Sequence, residues 1–116
     1  MPKFDIPTIS FAFVLSRDTP FTIHDEHRNQ AIIEAIPELK EIQNARRGSE
    51  NWYYGNGDAI GHHVFPKGTK MIVSRIYIRQ GAGQFDSVTL RAKLGKKSVR
   101  FWVKLDEFNL IEYEPA

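Results

Sequence analysis

The side chains of this chain that could carry chemistry are four histidines and a set of cations and aromatics spaced along its second half. The histidines are His24, His27, His62 and His63, and cysteine is absent. Without cysteine there are no disulfides, thiolate zinc centres, iron–sulfur clusters or cysteine nucleophiles. His24 and His27 are three residues apart, with Asp25 and Glu26 between them. On a helix that spacing puts both imidazoles on one face. With His62 or His63 they would offer zinc its usual nitrogen and oxygen donors. Histidines of this kind are ordinarily surface groups or groups held by a neighbouring carboxylate. No catalytic residue and no metal ligand is therefore assigned, no cofactor is expected, and the chain is read as a non-enzyme.

The run Gly61-His62-His63-Val64-Phe65-Pro66 resembles the start of an HNH-type nuclease site, in which a histidine pair precedes a short apolar stretch. The resemblance covers six residues. In that family one histidine activates water and others hold a metal through a ββα unit. Downstream of Pro66 this chain has no histidine, so a His-dependent metal nuclease is a remote alternative. Other catalytic signatures fail as well. There is no Walker-type phosphate loop, no Gly-x-Ser-x-Gly elbow and no dinucleotide fingerprint. The glycines around Asn56 and Asp58, and the Gly81-Ala82-Gly83 run, read as turns. The carboxylate pairs Asp25-Glu26 and Asp106-Glu107 are adjacent in sequence, which does not place them in one cleft.

The charge distribution is more informative. The 116 residues carry 16 Lys+Arg and 14 Asp+Glu, a formal net charge of +2. Residues 1–66 sum to −3, residues 67–104 to +9 and residues 105–116 to −4. An overall balance thus conceals a basic block of ten cations and one acid, Asp86. A uniformly basic tail is excluded, whereas a dipolar binder is not. Hydrophobic residues at 41% and aromatics at 12% suffice for a packed core and exclude disorder as the chain's state. The longest apolar run, Phe11–Leu15, is too short to span a bilayer and is not preceded by a basic start of the secretory kind. The expected location is the cytoplasm.

The fold expected is α+β in one domain. Residues 1–66 form a strand, helix and loop part, and residues 67–116 a basic antiparallel sheet part. Thr8–Leu15 reads as a strand with Ile9, Phe11, Phe13 and Leu15 on one face. Asp18-Thr19-Pro20 reads as a break, and from Ile23 the pattern turns helical. Thr22 and Asp25 have the spacing of a capping box. Pro37 interrupts the apolar stripe and suits the first position of a new helix, so one or two short helices are expected before Gly48 ends them. Residues 48–61 read as a glycine-rich loop. Within it Trp52, Tyr53 and Tyr54 are candidate anchors for a protein partner, since such aromatics concentrate at binding hot spots.

From Val64 the period becomes two. Lys70–Arg79 places Ile72, Ile76 and Ile78 on one side. Ser87–Leu94 and Val99–Leu105 alternate in the same way around the turn Gly95–Ser98. Three meandering strands, a helical turn near Asp106 and a closing strand at Leu110–Glu114 resemble the order of a small SH3-like barrel. Alternate side chains of a strand leave opposite faces. The polar face therefore collects Arg75, Tyr77, Arg79, Arg91, Lys93, Arg100, Trp102 and Lys104, with Lys96 and Lys97 at the hairpin tip. Like charges directly opposite one another destabilise a sheet, and phosphates are a natural counter-charge. Tyr77 and Trp102 would stack on bases. The function expected is binding of an anionic partner, nucleic acid foremost. The alternative is a protein-interaction module or small phage-type inhibitor that docks on a host complex. The bland account of the same residues is solubility and protection of sheet edges, with the acidic tail at Glu112 and Glu114 as an internal counter-charge.

Overall fold

The computed structural model describes residues 9–47, 59–78 and 86–116. Among the described residues seven strands and three helices follow one another as β1 (Ala12–Leu15), β2 (Thr19–His24), a 3₁₀ turn (His27–Asn29), α1 (Gln30–Ala35), α2 (Pro37–Arg47), β3 (Ala59–Phe65), β4 (Lys70–Tyr77), β5 (Ser87–Leu94), β6 (Lys97–Lys104), α3 (Leu105–Phe108) and β7 (Tyr113–Pro115). The fold is mixed α+β with antiparallel sheets. One sheet has five strands in the order β6-β5-β4-β1-β7, and a second pairs β2 with β3. Among the described residues these are two open sheets rather than the closed SH3-like barrel suggested by the order of elements. No helix of the described residues is long and apolar enough to cross a membrane.

Alternation fixes the strands. Val88, Leu90 and Ala92 of β5 and Val99, Phe101 and Val103 of β6 are buried on the inner face. The β5–β6 hairpin closes through Gly95 and Lys96, since Leu94 pairs with Lys97. Gly95 takes a φ of +62° at the first turn position, where a two-residue hairpin loop of the II′ type favours glycine. Phe21 of β2, Phe65 of β3 and Phe101 of β6 then join the two sheets. Their ring centroids lie 5.5–5.7 Å apart, two of the contacts edge-on and one stacked. Each buried side chain of this size contributes roughly 1.5–3 kcal/mol through removal from water.

The first helical region begins later than the sequence pattern suggests. Thr19, Phe21 and Ile23 are buried at every second position, and Thr19–His24 is a strand rather than a break followed by a helix. Pro20 is tolerated because β2 pairs only with β3, and an edge strand can spare an N–H. Asp25 is not the partner of Thr22 in a capping box. The cap is Glu26, whose side chain accepts the Arg28 amide at 2.9 Å. Ile36 is extended, with φ −120° and ψ 105°, as the residue before a proline prefers. Pro37 accordingly starts α2. The segment around His62 and His63, expected partly as loop, is strand β3. It passes so close under α2 that a Cβ on Gly61 would stand 2.8 Å from Leu39.

Gly48, Trp52, Tyr53, Tyr54, Arg79 and the turn at Gly81–Gly83 lie outside the described residues, as do the expectations attached to them.

Candidate functional site

The outer face of the five-stranded sheet is assembled in rows across β6, β5 and β4. Ser98 faces Lys93, Arg100 faces Arg91, Trp102 faces Thr89, and Lys104 faces Ser87. On β4 the rows continue with Ile72 opposite Arg91, Arg75 opposite Thr89 and Tyr77 opposite Ser87. The β4 register slips between Val73 and Arg75. An extra residue of this kind reverses which side chains point to a given face. Ile72 therefore stands on the outer face, 37% exposed among the cations, while Met71 and Val73 are buried. The strict alternation expected for Lys70–Arg79 would have sent Ile72 inward with Ile76.

Half of this face is covered. His24, at the end of β2, stacks on Trp102 with centroids 4.4 Å apart and planes 12° from parallel. The Arg28 guanidinium lies 5.3 Å from the Trp102 ring centroid and 5.0 Å from that of Tyr77, within the range of cation–π attraction. Glu26 holds Arg28 in place: its Oε2 accepts from Nε and Nη2 at 2.8 and 2.6 Å, and its Oε1 from Nε at 3.1 Å. Asn29 is fully buried. Its Nδ2 donates to the His24 carbonyl at 2.9 Å, and its Oδ1 accepts the Trp102 backbone N–H at 2.9 Å. That last bond closes part of the exposed edge of β6. Trp102 is 1% exposed, so it cannot serve as the base-stacking platform expected of it. Alternation places it on the outer face, and the 3₁₀ turn then folds over it.

Glu26 has a pH signature. Burial alone would raise its pKa, but the hydrogen bonds and charge of Arg28 hold the carboxyl below its ordinary value. A depressed folded-state pKa adds stability above the unfolded value and loses it as pH falls through the folded one. The acid limb of the stability profile, below about pH 4.3, should therefore be shallower in Glu26→Gln than in the parent. Glutamine keeps an oxygen for the cap and removes the charge together with one acceptor. Chemical denaturation between pH 3 and 6 would measure this, and identical acid limbs would show that the Glu26–Arg28 pair contributes nothing.

The other half of the face is open. Thr69, Lys70, Ile72, Arg91, Ala92, Lys93 and Ser98 line a groove of about 610 Å³. Arg100 stands beside it, opposite Arg91. Among the described residues, Lys70, Arg91, Lys93 and Arg100 form no ion pair with a carboxylate. The acidic tail does not supply one. Strand β7 lies at the far edge of the sheet beside β1, and Glu112 pairs with Arg17 at 2.8 Å.

The remaining expected residues are dispersed. Lys96 is at the hairpin tip. Lys97 belongs to a separate cavity with Glu34, Glu38, His63 and Leu94. Arg75 points its guanidinium toward the Tyr77 hydroxyl, at 3.5 Å. Lys104 is exposed at the end of β6, two rows from the groove. The histidines are not brought together as ligands. His24 is stacked, His62 and His63 are neighbours on β3, and among the described residues no group of three His, Cys, Asp or Glu side chains could hold a metal. Thr69, Lys70, Ile72, Ala92 and Ser98 are the groove residues that sequence reasoning did not assign. Ser98 was within reach of it, since it stands two residues from Arg100, whereas Lys70 shares the parity of Ile72 and was not.

Comparison with family models, curated proteins and solved structures finds no match to this chain.

Proposed function

We propose that the protein is a non-enzymatic binder of nucleic acid, working in the cytoplasm, and that it contacts the phosphate backbone through the open half of its outer sheet face. The observation that supports this reading is the set Lys70, Arg91, Lys93 and Arg100 around one groove without carboxylate partners among the described residues. Arg91 and Arg100 are opposed directly across two strands, an arrangement that weakens the sheet unless an anion joins it. Phosphates neutralised by such side chains release counterions, which favours binding at low salt. Phosphate contacts carry no sequence information, and of the two aromatics expected to stack on bases Trp102 is buried and Tyr77 lies beside the Arg28 guanidinium, away from the groove. The expected binding is therefore indifferent to sequence.

Fluorescence anisotropy with labelled oligonucleotides tests the reading. Arg91→Gln with Lys93→Gln should weaken binding by roughly ten- to a hundredfold. The plot of log affinity against log salt should become shallower by about 1.4–1.8, for two lost phosphate contacts. The same variant should be at least as stable as the parent, because it relieves the repulsion between Arg91 and Arg100. Absence of binding at low salt would overturn the proposal. Displacement of the oligonucleotide by polyglutamate at equal charge would assign the face to an acidic protein surface instead.

A further inference from the structure

We infer that the groove takes a single strand of nucleic acid in preference to a duplex, an inference that rests on the proposed nucleic-acid reading. It follows from what lies between the cations. Ile72 is exposed in the groove, with Arg91 opposite it on β5 and Lys70 two residues away on its own strand. The hydroxyl-bearing residues Thr69 and Ser98 also line it. A duplex presents phosphates and sugars outward and keeps the apolar faces of its bases stacked inside. Against a duplex, the isoleucine would lose water without gaining a partner. A single strand offers both components together, a phosphate backbone for the rim and unstacked base faces for the floor.

The dimensions agree. From Arg100 on β6 to Ile72 on β4 is two strand spacings, about 9–10 Å. Residues two apart on one strand, such as Arg91 and Lys93, are about 6.8 Å apart. The groove thus offers cations on both of its flanks across the width of one backbone. On the side toward Trp102 the face is occupied by the 3₁₀ turn and its Glu26–Arg28 pair, so the strand is confined to the open half. Among the described residues no aromatic lines the groove, so the base contact is with an aliphatic floor and is weaker than a stacking one. The register slip in β4 is what puts that floor in place, since without it Ile72 would point into the core.

An oligothymidylate of about 15 nucleotides, within the range one small β domain covers, and a duplex of the same length serve as probes for the intact chain. The single strand should bind at least about tenfold more tightly. With four phosphate contacts its salt slope should be about −2.8. Ile72→Thr keeps a β-branched residue in the strand and removes part of the apolar floor. It should weaken single-strand binding roughly three- to fivefold, leaving the salt slope and duplex binding unchanged. Equal or tighter duplex binding would overturn the inference while leaving the nucleic-acid reading intact. Unchanged single-strand affinity in Ile72→Thr would likewise overturn the role of the floor. Failure of both probes to bind at low salt would overturn the reading itself.

Discussion

Replacing Trp102 by alanine is expected to lower the free energy of unfolding by about 3–5 kcal/mol and the melting temperature by on the order of 15 °C. The indole is 1% exposed and sits in the middle of a stack. His24 lies on it at 4.4 Å, and the Arg28 guanidinium is 5.3 Å from its centroid. Truncation removes the surface on which both rest and opens a cavity that the sheet below cannot collapse to fill. Trp102→Phe retains an aromatic surface and should cost less, about 1.5 kcal/mol. Urea denaturation with an unchanged slope would measure both losses. An alanine variant as stable as the parent would mean that the indole stands in water on an open face, as the strand pattern alone suggests. The phenylalanine variant should bind oligonucleotide as the parent does, because the groove begins one row away at Arg91 and Arg100.

This contrast between face and cover marks the limit of what the sequence discloses. Strands β5 and β6 were legible because each alternates over eight residues, and the start of α2 because proline restricts both itself and the residue before it. Strand β2 was not legible. Ile23 belongs to its alternation but also stands ahead of Ile32, Ile33 and Ile36, so the period of two and the helical period compete over the same few residues. Strand β3 was hidden by a pattern with a competing chemical reading, since two adjacent histidines look like ligands before they look like pleat positions. Arg91, Lys93 and Arg100 were readable from period alone. Lys70 and Ile72 were not, because a single extra residue at Ser74 inverts the faces and leaves no mark in composition. The burial of Trp102 was out of reach for a different reason. Alternation says which face a residue joins, and the segment that covers that face comes from 73 residues away, where Asn29 receives the Trp102 amide.

What holds that covering segment in place leads to the second large effect. Arg46→Met is expected to destabilise the protein by about 3 kcal/mol, as for other buried charges deprived of a partner. Asp25 directly follows β2 and is 1% exposed. Its Oδ2 accepts from Arg46 Nε at 3.1 Å, and its Oδ1 from Gln43 Nε2 at 3.1 Å. Gln43 in turn exchanges hydrogen bonds with Gln30, at 2.9 and 3.0 Å. Helix α2 is thereby tied to the same short stretch, residues 24–30, that roofs Trp102. If the cost arises from an uncompensated carboxylate, removing the carboxylate as well should recover part of it. Asp25→Leu with Arg46→Met should therefore be more stable than Arg46→Met alone. Two losses that simply add would instead mean that the pair acts through packing. The tie also has a local readout. In Arg46→Met the backbone amide of Trp102, bonded to Asn29 in the parent, should lose hydrogen-exchange protection before the amides at the centre of β5 do. Protection lost equally at both places would show that Asp25 and Arg46 support the whole fold rather than the cover over Trp102.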